Sequence, residues 1–187
     1  VLKREQVSEY LRSLGQIERK ILRDLGVKFG RYHIFLYQLI KPEAVSLRTL
    51  LWKNFHQKYY NLKPPTFGLN FLDDKVSKSK NYMLLCGFEK FDTFFVRIDI
   101  LERLFVLLIN SSSSKENNEI KMTPEMLNLL GCSKENFKKL LQKMGYRVFD
   151  KEEDTFFRYN PSKKIKKISK QKISSENPFK ILKNLNL

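Results

Sequence analysis

The stretch TPEMLNLLGCSKENFKKLLQKMGYRVFDKEEDTFFRY, residues 123–159, carries the clearest fold signals in the chain. Thr123 and Pro124 supply an N-cap and a first-turn proline for a short helix, and Gly131 is placed to close it. Ser133 follows at once as the N-cap of another helix. Two helices joined by so short a turn are typical of a helix-turn-helix pair.

The second helix of this pair has an apolar side and leads into a predicted hairpin. Four apolar residues recur at helical spacing before Gly145 ends the helix: Phe137, Leu140, Leu141 and Met144. Two strand-like runs then follow, residues 146–149 and 155–159, on either side of an acidic turn. This pattern predicts a small β-hairpin.

A further helix is predicted before the pair. Asp99 and Glu102 form a variant of the capping box, and the helix after them has an apolar face made of Leu101, Leu104, Phe105 and Leu108. Three helices followed by a hairpin is the winged-helix order, so residues 99–160 are predicted to form a winged-helix-like unit.

The N-terminal half is predicted to be mainly helical. Its first 25 residues carry an interrupted apolar stripe with a break at Gly15, and a helix opens at Pro42 with Ala44, Leu47, Leu51 and Phe55 at helical spacing. We therefore expect a mainly α, α+β protein with four parts. These are a helical accessory region (residues 1–62), a connector with short strands at 82–85 and 94–98 (residues 63–98), the winged-helix-like unit (residues 99–160) and a basic flexible tail (residues 161–187).

The charge of the chain favours a partner that carries phosphates. The net charge is +16, and residues 161–187 hold eight lysines against one glutamate, so this tail contributes +7. The candidate nucleic-acid-binding residues are the basic positions on or beside predicted elements: Arg31, Arg48, Lys53, Lys138, Lys139, Lys143 and Arg147. The alternative is a solvated lysine face on a packing module, and the acidic hairpin turn argues against insertion of the hairpin into a groove.

Several classes of site are not indicated. His33 and His56 are isolated and predict structural or surface histidines, and no catalytic residue is assigned. Cys86 and Cys132 lack the spacing of a zinc site and predict buried thiols. No apolar run is long enough to span a bilayer, so a soluble protein without a membrane partner is expected.

Residues 25–52, LGVKFGRYHIFLYQLIKPEAVSLRTLLW, resemble the region that follows the motor core in alphaproteobacterial superfamily-two ATP-dependent helicases, relatives of the mitochondrial degradosome RNA helicase. The matching features are LGVKFG and KPEAVSLRTLLW. Residues 126–147, MLNLLGCSKENFKKLLQKMGYR, are similar to a later segment of that family, and residues 177–182, NPFKIL, to its C-terminal end. The phosphate-binding loop and the acidic metal-binding motif of the helicase motor do not occur in the sequence.

The resemblance implies a C-terminal accessory region of a helicase, with no cofactor of its own and with ATP and Mg²⁺ bound by motor domains outside this sequence. It also implies a bacterial cytoplasmic protein whose partners are RNA or single-stranded DNA, its own motor domains and an exoribonuclease. Such a region holds a single strand or braces the motor. Two other readings stay open: a protein-interaction module that docks the helicase on a nuclease or ribosome, and a free-standing winged-helix regulator.

Overall fold

A computed structural model describes residues 1–57, 61–74, 79–112, 119–151 and 154–160. Within these ranges the protein has a mixed fold, 49% helical and 24% strand, with three separate three-stranded sheets. The expected α+β composition is confirmed at this level. The tail at 161–187, predicted to be flexible, lies outside the described residues.

The first unit (residues 2–36) contains strands as well as helices. Its elements are β1 (Leu2–Lys3), α1 (Ser8–Ser13), α2 (Gln16–Asp24), β2 (Val27–Phe29) and β3 (His33–Leu36). All neighbours in its sheet are antiparallel, in the order β1-β3-β2. The region expected to be mainly helical, residues 1–62, thus also contains three short strands, and the predicted break at Gly15 does separate α1 from α2.

The second unit (residues 42–97) follows a 3₁₀ helix at Tyr37–Ile40. It consists of α3 (Pro42–Phe55), β4 (Phe71–Asp73), α4 (Lys80–Leu85), β5 (Phe88–Phe91) and β6 (Phe94–Arg97), with the sheet order β4-β6-β5. The helix predicted to open at Pro42 is confirmed. Residues 82–85, predicted as a strand, belong instead to α4, whose inward side buries Tyr82 and Met83.

The third unit (residues 98–159) contains the predicted helices and hairpin. Its elements are α5 (Ile98–Ser112), β7 (Glu119–Lys121), α6 (Pro124–Leu130), α7 (Lys134–Lys143), β8 (Tyr146–Lys151) and β9 (Asp154–Tyr159). The Ser133 hydroxyl accepts a hydrogen bond from the Asn136 N–H at 3.3 Å, and Gly131 ends α6 in the left-handed region. The sequence did not predict β7, which pairs with β9 in the order β7-β9-β8.

The three units repeat one arrangement of strands and turns. In each, a short strand precedes helical structure, and the last helix turns into an antiparallel hairpin whose second strand lies at the centre of the sheet. A glycine makes this turn each time: Gly26, Gly87 and Gly145 have φ angles of 89°, 86° and 88°. Each glycine N–H donates to the carbonyl three residues before it. Because other residues rarely adopt such φ values, the repeated turn depends on glycine.

The buried side chains are distributed unevenly over the units. A large core joins α5, α6, α7 and the third sheet, and a smaller cluster joins α3, α4 and the second sheet. In the first unit α1 and α2 bury no residue, and only His33, Ile34 and Phe35 of residues 1–40 are buried. The first unit therefore has little core of its own.

Two expectations about helices are wrong, one about the buried face of α3 and one about the start of α5. Helix α3 buries Val45 and Thr49, whereas three residues of the predicted stripe, Leu47, Leu51 and Phe55, are exposed. The predicted capping box is also absent, because the Asp99 carboxylate pairs with Arg97 while Glu102 reaches the turn between β2 and β3. That second contact builds the site described next.

Candidate nucleic-acid interface

A buried polar cluster, here called the junction network, connects the three units. It consists of Lys3, His33, Glu89 and Glu102, one or two from each unit. His33 Nε2 lies 3.3 Å from a Glu89 oxygen, and His33 Nδ1 lies 3.4 Å from a Glu102 oxygen. Lys3 donates to the other Glu89 oxygen at 2.5 Å. His33, expected to be isolated, is thus held between two carboxylates.

The Glu102 carboxylate is bound chiefly by backbone. It accepts hydrogen bonds from the N–H groups of Arg31, Tyr32 and His33 at 2.5, 2.9 and 2.9 Å. This approach requires Gly30, because a Cβ atom there would lie 2.3 Å from the Glu102 carboxyl carbon. Gly30, the last residue of the LGVKFG stretch, thus has a specific role, which is to let Glu102 of α5 reach the β2–β3 turn.

The charged forms of His33, Glu89 and Glu102 stabilise one another in the junction network. Burial by itself would lower the pKa of His33, but hydrogen bonds to Glu102 and Glu89 outweigh it, so this pKa lies above its ordinary value of 6.5. Burial would raise the pKa of both glutamates, yet their hydrogen bonds hold each pKa below 4.5. A protonated His33 donates from both ring nitrogens, which suits a carboxylate on each side.

The junction network should make stability depend on pH in a defined direction. The contribution of His33 is complete below pH 6.5 and is lost as the pH rises through its raised folded-state pKa. The contribution of Glu89 and Glu102 is complete above pH 4.5 and is lost as the pH falls through their lowered folded-state pKa values. We expect the network to stabilise the fold most between pH 4.5 and 6.5.

Urea denaturation of the parent protein and of His33→Gln, inside this window and above it, tests this expectation. The parent should lose more free energy of unfolding than the variant on the alkaline side, because the variant has no imidazolium to deprotonate. Equal losses in the two proteins would show that His33 is not charged in the folded state.

Beside the junction network lies a cavity of about 670 Å³ that is lined by residues of all three units. Its wall includes four cationic residues, Lys3, Arg4, Arg31 and Lys143, together with the acids Glu5 and Glu89. Aromatic side chains also line it: Tyr32, Phe91 and Tyr159. A volume of this size suits a small ligand or a few atoms of a polymer backbone.

The four cations differ in how they are engaged. Lys3 pairs with Glu89, and the Arg4 guanidinium donates to the Gly30 carbonyl at 2.7 Å. Lys143 forms an exposed ion pair with Asp92 at 2.6 Å, which is the kind of contact that solvent weakens most. The Arg31 guanidinium lies 5.7 Å from the centre of the Phe105 ring and has no carboxylate partner among the described residues. Arg31 and Lys143 are therefore the cations best able to bind an anion.

Tyrosines add neutral hydrogen-bonding groups to the same wall. Burial, with smaller contributions from Tyr146 and Tyr159, raises the pKa of Tyr32 to about 12. The rings of Tyr146 and Tyr159 lie 5.2 Å apart. The Tyr32 phenol stays protonated at neutral pH, so it can donate to a phosphate oxygen without repelling it.

The structure distributes the seven predicted nucleic-acid-binding residues over three surfaces. Arg31 and Lys143 meet at the cavity. Lys138 pairs with Asp150 of the hairpin at 2.9 Å, while Lys139 and Arg147 are exposed outside the cavity wall. Arg48 and Lys53 lie half-buried on α3, and Arg48 donates to the Leu39 carbonyl.

The described part of the hairpin is largely neutralised by its own acids. Besides the pair of Lys138 with Asp150, Lys151 binds Glu119 at 2.6 Å and Lys121 binds Asp154. The tip residues 152–153, which the sequence shows to be acidic, lie outside the described residues. The expectation that the hairpin does not enter a nucleic-acid groove stays a prediction.

Lys3, Arg4 and Tyr32 were missed as site residues. Their sequence surroundings contain no motif, and they reach the cavity only because β1 pairs with β3 and Glu102 binds residues 31–33. Glu102 and Arg31 are 71 positions apart, a distance over which periodicity carries no information.

No group of three His, Cys, Asp or Glu side chains among the described residues could hold a metal ion, and no helix there could cross a membrane. Burial raises the pKa of Cys132 to about 11, which makes it a poor nucleophile or metal ligand. No protein-family model, no curated protein and no solved structure matches this chain. Any functional assignment therefore rests on the geometry and on the sequence resemblance.

Proposed function

We propose that this chain is a nucleic-acid-binding accessory region of an ATP-dependent helicase, built from three winged-helix-like units. It binds the phosphate backbone of a single strand, with RNA as the preferred ligand. ATP hydrolysis takes place in motor domains outside this sequence, which the region also braces.

The order of elements supports the winged-helix assignment. In the third unit a helix, a short strand, two helices and a hairpin follow one another, and the short strand pairs with the last strand of the hairpin. The second unit has the same order with one helix, α4, between its short strand and its hairpin among the described residues. The first unit has the strand, the two helices and the hairpin. Winged-helix modules are common in proteins that bind nucleic acids.

The observation that carries the proposal is the meeting of Arg31 and Lys143 in one cavity with Lys3 and Arg4. Three cations of the first unit and one of the third converge there, beside tyrosines that can donate hydrogen bonds or stack on a base. Contacts of this kind recognise phosphates without reading base edges. The binding we propose is therefore largely independent of base sequence.

Fluorescence anisotropy of labelled single-stranded RNA at several salt concentrations tests this site. The variant Arg31→Ala/Lys143→Ala should weaken binding and reduce the slope of log K against log salt by about 1.4, about 0.7 for each lost phosphate contact. A matched control, Lys138→Ala/Lys139→Ala, removes the same charge outside the cavity wall and should keep most of the affinity. A chain ending at Asn160 tests whether the basic tail is responsible.

The proposal would be overturned if the two double variants bound RNA equally well and the chain ending at Asn160 did not bind it. Affinity would then belong to the tail, and the folded units would serve only as a brace or docking surface. Single-stranded DNA of the same sequence, measured in parallel, tests the preference for RNA.

A second candidate function is the docking of the helicase on a nuclease or ribosome. One observation favours it: α3 exposes a continuous apolar face of Leu47, Leu50, Leu51 and Phe55, with Phe55 83% exposed. Exposed apolar patches of this kind mark protein interfaces. This function and phosphate binding use different surfaces, so one chain can carry out both.

A further inference from the structure

We propose that the cavity binds a phosphate monoester at the end of a single strand in preference to a phosphodiester within the strand. This inference rests on the proposed function, because it names the part of the nucleic acid that the same cavity recognises. The region then selects strand ends and does not only hold a backbone.

The cavity reaches the interior of the protein. Besides its exposed cations, its wall includes residues that are almost closed to solvent: Leu101 (1% exposed), His33 (3%), Glu89 (8%) and Met144 (8%). All three units contribute to this wall, so a ligand enters at the place where they meet. A phosphodiester has a nucleotide on each side, and both must leave the cavity again. A terminal phosphate has only one, so a strand end fits more easily.

The charge of the wall matches a monoester better than a diester. Its four cations outnumber its two acids, Glu5 and Glu89, by two. Glu89 is already held by Lys3 and His33 in the junction network. A phosphodiester carries a single negative charge, whereas a monoester carries about −1.5 to −2 at neutral pH and has three free acceptor oxygens. The excess positive charge of the wall is thus close to the charge of one monoester.

Suitable donors for these oxygens are present. The Arg31 side chain is exposed and has no carboxylate partner among the described residues, and a guanidinium can donate two parallel hydrogen bonds to a phosphate. Lys143 pairs with the exposed Asp92, and a dianion competes with that carboxylate more effectively than a monoanion does. The neutral Tyr32 phenol adds a donor without a charge.

Apolar side chains beside the cations leave a place for the terminal nucleotide. Phe91, Leu101 and Met144 belong to the wall, together with Tyr159, which is 49% exposed. Aromatic side chains stack on a base whatever its identity. We therefore expect selection of the strand end to be independent of the terminal base.

Competition binding tests the inference. A single-stranded RNA with a fluorophore on an internal base is bound to the full chain and displaced by unlabelled RNAs of one sequence. These carry a 5′-phosphate, a 3′-phosphate or hydroxyls at both ends. At least one phosphorylated RNA should compete about tenfold better than the hydroxyl-ended RNA, because charge-assisted hydrogen bonds are added. The end that gives the advantage is the end that enters the cavity.

Two variants locate the effect. Arg31→Ala/Lys143→Ala should remove the advantage, so that all three RNAs compete equally. Lys138→Ala/Lys139→Ala, which removes the same charge outside the cavity wall, should keep it. Arg31 and Lys143 are both exposed, so the thermal melt of their double variant should resemble that of the parent.

Three outcomes would overturn the inference. Neither terminal phosphate would improve competition, or Arg31→Ala/Lys143→Ala would keep the full advantage, or adenosine monophosphate would compete as well as the phosphorylated RNA. The last result would make a free nucleotide the ligand.

Failure of the inference can be told apart from failure of the proposed function. If hydroxyl-ended RNA binds as tightly as phosphorylated RNA and Arg31→Ala/Lys143→Ala weakens both, only the preference for strand ends is wrong. If none of the RNAs binds the parent chain, the proposed function is wrong as well.

Discussion

Replacement of Glu102 by alanine is expected to lower the free energy of unfolding by about 3 to 5 kcal/mol, the usual cost of removing one partner from a buried ion pair. The change leaves His33 between one carboxylate and an empty space, and it removes the acceptor of three backbone N–H groups. Buried donors without an acceptor are costly because they lose their bonds to water as well. Urea denaturation followed by circular dichroism measures the effect.

Two further variants test which property of Glu102 causes the loss of stability. Glu102→Gln keeps an acceptor oxygen but removes the negative charge, so its loss should lie between that of alanine and that of the parent. Glu125→Ala removes an exposed glutamate from α6 and should change the stability by no more than about 0.5 kcal/mol. A loss below about 1 kcal/mol for Glu102→Ala would mean that the network contributes little net stability.

Leu141→Ala is expected to cost about 2 to 5 kcal/mol, the range for a fully buried leucine that leaves a cavity. Leu141 lies on the inner side of α7 and belongs to the core that joins α5, α6 and the third sheet. Chemical denaturation measures the loss. Leu50→Ala on α3 is the control, because the same atoms are removed from an exposed site.

A change below about 0.5 kcal/mol for Leu141→Ala would place that residue on the surface and contradict the packing of α7. A cooperative transition monitored at both the second and third units would show that their cores unfold together.

The third unit could be predicted from sequence because its signals are local. A proline, a serine cap and two glycines each fix a helix end through the backbone of neighbouring residues, and all four lie where the structure needs them. The strands of the first unit could not be predicted in this way. Strand β1 has two residues and β2 has three, too few for an alternating pattern, and β1 pairs with a strand some thirty positions away.

Helix α3 shows a second reason why sequence alone could not predict the packing. Its apolar residues lie on two sides, Val45 and Trp52 toward α4 and Leu47, Leu51 and Phe55 toward solvent. Periodicity identified the helix but chose the wrong face, because both faces satisfy the same spacing. Which face is buried depends on α4, and residues 82–85 of that helix had themselves been predicted as a strand.

The site was predictable only as a set of basic positions. Arg31 and Lys143 were among them, yet nothing local distinguishes them from Arg48 or Lys138. Their meeting depends on Glu102, which attaches the β2–β3 turn to α5. Tertiary contacts therefore decide which lysines and arginines remain available.

The shortage of buried residues in the first unit has a consequence for ligand binding in the cavity. We expect local opening of this unit to have a low free energy, because α1 and α2 bury no side chain, and opening would move β1, which carries Lys3 and Arg4, away from the cavity. A ligand that occupies the cavity only when the unit is closed shifts this equilibrium toward the closed state. By thermodynamic linkage, a strand bound in the cavity would then protect α2 from local opening without touching it.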